Sequence, residues 1–84
     1  MPYKEFRPAD NVIYRTFDEN VDEHELVWHR DKKDRIVTAL HKTDWKVQLD
    51  NELPQVITEI LIPKDTYHRV IKGTRSLHVK IVEK

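Results

Sequence analysis

Three side chains in this sequence have the types and spacing to hold a cation. His29 and Asp31 stand two residues apart in the alternating stretch Glu25 to Asp31, and in an extended strand residues two apart project to the same face. One short segment therefore offers an imidazole nitrogen and a carboxylate together. Much later in the chain His68 follows Pro63-Lys64-Asp65-Thr66-Tyr67 at the start of another alternating stretch. A second nitrogen can then approach from a neighbouring strand. Two histidines and one carboxylate make a facial ligand set that suits Fe and also accepts Mn, Ni, Co or Zn, leaving open positions for water or a small molecule. The expected metal ligands are His29, Asp31 and His68. The competing reading is a solvated, salt-bridged His29 and Asp31 beside an ordinary half-buried His68. Binding would require neutral imidazoles and an ionised Asp31, so affinity is expected to fall below about pH 6.

The elements that must position these groups follow a period of two nearly everywhere. Alternation runs over Asn11 to Phe17, Glu25 to Asp31, Arg35 to His41, Asp44 to Asp50, Val56 to Ile62, Tyr67 to Lys72 and Leu77 to Val82, which predicts about seven strands. Turn-forming residues separate them, and the single glycine, Gly73, is expected in a tight hairpin before the last strand. One short helical turn is expected around Asn20 to His24. Many short strands with little or no helix predict an all-β sandwich or barrel. Trp28 and Trp45 alternate with polar neighbours and are expected in the core or between sheets.

At 84 residues there is room for one domain, 1–84, with residues 1–10 as an extended amino-terminal arm. Fifteen basic and fifteen acidic residues give a formal net charge of zero. That balance lacks the basic footprint of a nucleic-acid binder, and Asp44, Asp50 and Glu52 near Trp45 would repel phosphate. The absence of cysteine excludes disulfides, thiolate ligands and cysteine nucleophiles. No run of 18 apolar residues occurs, and Met1 to Arg7 has no apolar stretch of the kind a secretory signal carries. The expectation is a soluble, cytoplasmic protein with no membrane partner. Short strands with open edges lead to a further expectation, a homodimer.

His29-Arg30-Asp31 followed by Pro63-Lys64-Asp65-Thr66-Tyr67-His68 resembles the two motifs of the cupin superfamily. There an H-x-H pair with a nearby Glu precedes, one segment later, P-x-G-x-x-H. The spacing from Pro63 to His68 matches, and the likeness spans Leu26 to Ile71, about half of the chain. The stretches Glu25 to Asp31, Gln48 to Pro54 and Tyr67 to Arg69 are also similar to small cupin-like proteins without an assigned activity. The resemblance implies a double-stranded β-helix barrel with the metal inside. Three positions depart from the family pattern: Asp31 replaces the second histidine, Arg35 falls at the glutamate position, and Asp65 stands for the glycine. Arg35 would either bind an anionic group beside the metal or pair with Asp31 or Asp34. Arg35, Gln48 and Tyr67 are the polar groups expected to line the pocket. The H-x-D…H order is also that of the Fe(II)/2-oxoglutarate oxygenases, whose co-substrate arginine lies beyond the last histidine. Arg75, the only arginine downstream of Val70, falls in a predicted turn.

Two functions follow from these residues. One is a small cupin-like protein that holds a divalent metal and a small-molecule ligand, with a metal-dependent enzyme as its catalytic form. The other is a metal-free β-barrel that serves as a binding or assembly module.

Overall fold

A computed structural model of the chain describes residues 3–84. Its strands are β1 (Tyr3–Ala9), β2 (Val12–Phe17), β3 (Arg35–Ala39), β4 (Lys46–Leu49), β5 (Gln55–Val56), β6 (Glu59–Ile62), β7 (His68–Ile71) and β8 (Leu77–Glu83), with one 3₁₀ turn at Glu23–Glu25. They form two antiparallel sheets, one of five strands in the order β1-β2-β8-β3-β6 and one of three in the order β5-β4-β7. The all-β prediction holds. Among the described residues no helix is long and apolar enough to cross a membrane.

The inward rows of the two sheets make the core. In the larger sheet Ile13, Ile81, Val37 and Ile60 lie side by side in register, one from each of four adjacent strands. Trp45, Val47 and Leu49 face them from around β4, and the fully buried Trp45 ring packs on Phe17 at 5.6 Å. These are the alternating apolar positions of the sequence, and their burial is the main favourable term available to so short a chain.

The structure corrects several local expectations. Glu25 to Asp31 is not a strand. It begins in the 3₁₀ turn, capped by Asp22, and pairs with a sheet strand only at the bridge between His29 and His68. Trp28 is 42% exposed and lies under the Arg69 guanidinium, so it is not a core residue. The stretch Val56 to Ile62 divides into two strands that serve different sheets. Gly73 closes no hairpin either, because β7 and β8 belong to different sheets and the chain crosses between them there. Its requirement is one of space. A Cβ at position 73 would sit 2.5 Å from Cδ1 and 2.8 Å from the backbone nitrogen of Trp45. The first ten residues, expected as an arm, supply β1, an edge strand paired with β2 through the connection Asp10-Asn11; Met1 and Pro2 lie outside the described residues.

Candidate metal centre

His68 opens β7 and faces inward, 4% exposed, in the row that β7 turns toward the core. Opposite it runs the segment that leads into β3. The backbone amide of His29 donates to the carbonyl of His68 at 3.0 Å, and the amide of His68 donates to the carbonyl of His29 at 2.8 Å. This reciprocal pair brings the two imidazoles to a centroid separation of 4.3 Å. Asp31 then follows on the same side. Ligand atoms of His29, Asp31 and His68 all lie within 4.8 Å of one another.

The turn before His68 explains how an aspartate can stand where the motif has glycine. Asp65 has φ of 60°, the left-handed conformation, which aspartate adopts more readily than most residues with a side chain. Its position as third residue of the turn closed by the Thr66 amide and the Pro63 carbonyl is the one that type II turns give to glycine. The Asp65 amide donates to the Asp31 carbonyl at 2.7 Å, and the Lys64 amide donates to Asp34 Oδ1 at 2.8 Å. The turn is thereby pinned to the loop that carries the carboxylate.

Hydrogen bonding also selects the ring tautomers. His29 Nδ1 lies 2.9 Å from the carbonyl of Val27, and His68 Nδ1 lies 2.9 Å from the carbonyl of Thr66. A carbonyl only accepts, so each Nδ1 carries a proton and donates it, which leaves Nε2 of each ring as the nitrogen available to a ligand. Burial holds the His68 pKa below that of an ordinary histidine. The charges of His29 and Arg35 push the same way, against the opposing pull of the Thr66 hydrogen bond and the Asp31 carboxylate. His68 is accordingly neutral at pH 7. Its Nε2 faces Asp31 Oδ2 at 3.3 Å, and two acceptors at that distance repel unless something positive lies with them.

Asp31 Oδ2 is buried and makes no hydrogen bond among the described residues. Its one cationic neighbour is Arg35, whose Nη1 lies 3.3 Å away without hydrogen-bond geometry. The better bonds of Arg35 go to Glu83, whose Oε2 accepts from Nε at 2.9 Å and from Nη2 at 2.8 Å. Burial by itself would raise the Glu83 pKa, but the hydrogen bonds and charge of Arg35 outweigh it and hold the carboxylate ionised. Arg7 Nη1 reaches the other oxygen of Glu83 at 3.6 Å. Of the two roles open to Arg35, the structure shows the pairing: its guanidinium is engaged by Glu83 and Asp31.

The trio borders a cavity of about 430 Å³ between the sheets. Much of the remaining wall is aliphatic, with Val37, Val47 and Val70 among the residues that line it. Glu5, Arg7 and Arg15 add charge, and Arg15 lies 3.9 Å above the Tyr3 ring while bonded to Glu5. Arg35 borders this space as expected, whereas Gln48 and Tyr67 do not. Gln48 alternates out of the cavity on β4 and is taken up by the Glu52 carbonyl and Arg69. Tyr67 precedes the inward His68 and so turns outward, beneath Arg30. Sequence reasoning passed over Arg15 and Glu83. A charged residue between the inward Ile13 and Phe17 was the available sign for the first; the second needed the pairing of β3 with β8.

Sequence comparison finds no matching family model and no matching curated relative. Structure comparison does find matches. An RmlC-like cupin family protein with a double-stranded β-helix fold from Methanocaldococcus jannaschii superposes with a TM-score of 0.70 at 9% identity, covering 96% of this chain and 76% of that one. A cupin domain from Bordetella pertussis gives 0.66 at 15% identity over 98% and 93%. KdgF from Halomonas sp. gives 0.65 at 15% identity over 96% and 77%. The fold is that of the cupins. For this cupin-like chain the likeness covers nearly every residue, well beyond the half of the sequence that carries the motifs.

Proposed function

We propose that this cupin-like chain binds a divalent transition metal, Fe, Mn, Ni or Zn, through Nε2 of His29, Nε2 of His68 and the carboxylate of Asp31, and presents it to a small molecule in the cavity. The observation that carries this reading is the convergence of the three side chains, whose ligand atoms lie within 4.8 Å of one another, on a buried Asp31 Oδ2 that has no hydrogen-bond partner among the described residues and faces His68 Nε2 at 3.3 Å. A cation bound by both removes the repulsion and supplies the partner that Asp31 Oδ2 lacks. The donor set of two neutral imidazoles and one carboxylate is borderline in softness and fits these ions better than Mg²⁺ or Ca²⁺.

When bound, such an ion can polarise a carbonyl or activate water or dioxygen at its open positions. The chain's own residues do the positioning. The carbonyls of Val27 and Thr66 fix the imidazole tautomers, Arg35 holds Asp31 toward the histidines, and the aliphatic wall excludes water from the apolar end of a ligand. A metal-dependent reaction on a small molecule is the catalytic form of this proposal. Cytoplasmic residence and a homodimer belong to it as well.

A specific contact favours a second reading, a metal-free binding module. Arg35 Nη1 at 3.3 Å from Asp31 would balance the carboxylate without an ion. Elemental analysis of protein purified without chelator or affinity-tag metal separates the two. The metal reading expects about one ion per chain, lost in His29→Ala and His68→Ala and released below about pH 6 as the imidazoles protonate. Empty protein whose melting temperature ignores added metals would establish the module instead.

A further inference from the structure

Four strands of the larger sheet carry apolar residues on both faces. The runs Val12-Ile13, Ile36-Val37, Ile60-Leu61-Ile62 and Ile81-Val82 each place one member outside the core. Ile13, Ile60, Ile62 and Ile81 are buried, whereas Leu61 is 57% exposed, and Val12, Ile36 and Val82 are only partly covered. Register aligns the outer members in one row, Val12–Val82–Ile36–Leu61, across β2, β8, β3 and β6. The parallel row two residues away reads Tyr14–Lys80–Thr38–Glu59. Lys80 and Glu59 make no ion pair or side-chain hydrogen bond within the chain among the described residues. Strands that are apolar on both faces are the pattern of a sheet covered on both sides, and here only the inner side is covered.

We infer that a second copy of this chain covers the outer face over β8, β3 and β6, packed sheet against sheet about a two-fold axis that runs along β3. Rotation about that axis exchanges the strands on either side of β3, so β8 of one protomer lies over β6 of the other. Ile36 then meets its own copy, Val82 meets the partner's Leu61, and Lys80 meets the partner's Glu59. The face is self-complementary: apolar falls on apolar and the two unpaired charges of opposite sign fall on each other, twice over. Moving the axis to β8 would put Lys80 on its own copy, a like-charge contact. The inference rests on the homodimer reading above and assigns its surface to the sheet face rather than to an edge.

Light scattering on the size-separated 84-residue chain, across a concentration series, tests it. The expected species is a dimer of two 10.1 kDa chains. Leu61→Arg should make it monomeric without changing the far-ultraviolet spectrum, because that side chain is exposed. Lys80→Glu and Glu59→Lys should each weaken association at least about tenfold, since each sets like charges opposite. An equimolar mixture of those two variants should recover the dimer, because both cross-pairs are then opposite in sign. A dimer that persists in Leu61→Arg and in both charge variants overturns the assignment while leaving the homodimer in place. A monomer at every concentration overturns both.

Discussion

His68 carries a thermodynamic signature that can be read without any ion. Burial holds its folded pKa below the ordinary histidine value. Above about pH 6.5 the ring is neutral in folded and unfolded chains alike, and it adds no pH dependence. As the pH falls below that value the unfolded chain takes up a proton that the folded chain refuses, so stability declines until the folded pKa is reached. Denaturant titrations in chelator between pH 7.5 and 5 should show this loss, with a slope of at most ~1.4 kcal/mol per pH unit from one site, and His68→Gln should flatten it. Glu83 acts lower, because its pKa is depressed; its contribution is present above the carboxylate range and lost as pH falls through its folded value. The second residue-scale test concerns Asp65. With φ at 60°, Asp65→Gly relieves a left-handed aspartate and is expected to change stability by less than about 1 kcal/mol. Asp65→Val places a β-branched residue there and should cost about 1–2 kcal/mol. Equilibrium denaturation of both variants measures the difference.

At the scale of elements, Gly73 governs the crossing from β7 to β8. The loop is tied down by Asp44, whose carboxylate accepts from the backbone and hydroxyl of Thr74 at 3.0 and 2.8 Å, and by the buried Trp45 indole, which donates to the Arg75 carbonyl. Asp44 could swing from an added methyl, but Trp45 is fully buried and cannot. Gly73→Ala should therefore destabilise by about 1–3 kcal/mol, as overpacking does, measured by denaturant midpoint. How much of this was legible in the sequence varies by element. Strands with partners on both sides, such as β8, declared themselves through alternation, because burial of one face selects the register. Leu26 to Asp31 alternated too, yet a period of two describes any extended segment, paired or not, and only His29 found a partner. The candidate trio was legible for the same reason that the strand was misjudged: an extended backbone puts His29 and Asp31 on one side whether or not it joins a sheet. Arg35 and Glu83 are 48 residues apart, and their pairing depends on which strands become neighbours, which local periodicity does not encode.

At the scale of the whole molecule, the candidate centre lies where the two sheets meet. His68 belongs to the three-stranded sheet, while His29, Asp31 and Arg35 lead into or begin a strand of the five-stranded one. An ion bound only by the folded chain therefore stabilises the whole barrel. At a free concentration 100 times its dissociation constant the gain is about 2.7 kcal/mol, which for a domain of this size raises the melting temperature on the order of 10 °C. Differential scanning calorimetry with and without excess chelator reads that shift, and it should vanish in His68→Ala. The exchange of amides between His29 and His68 gives this coupling its form. Prising the rim open would have to tear both peptide contacts and pull the two tilted imidazoles asunder, so an occupant at that seam would act as a rivet, and its departure would let the barrel breathe.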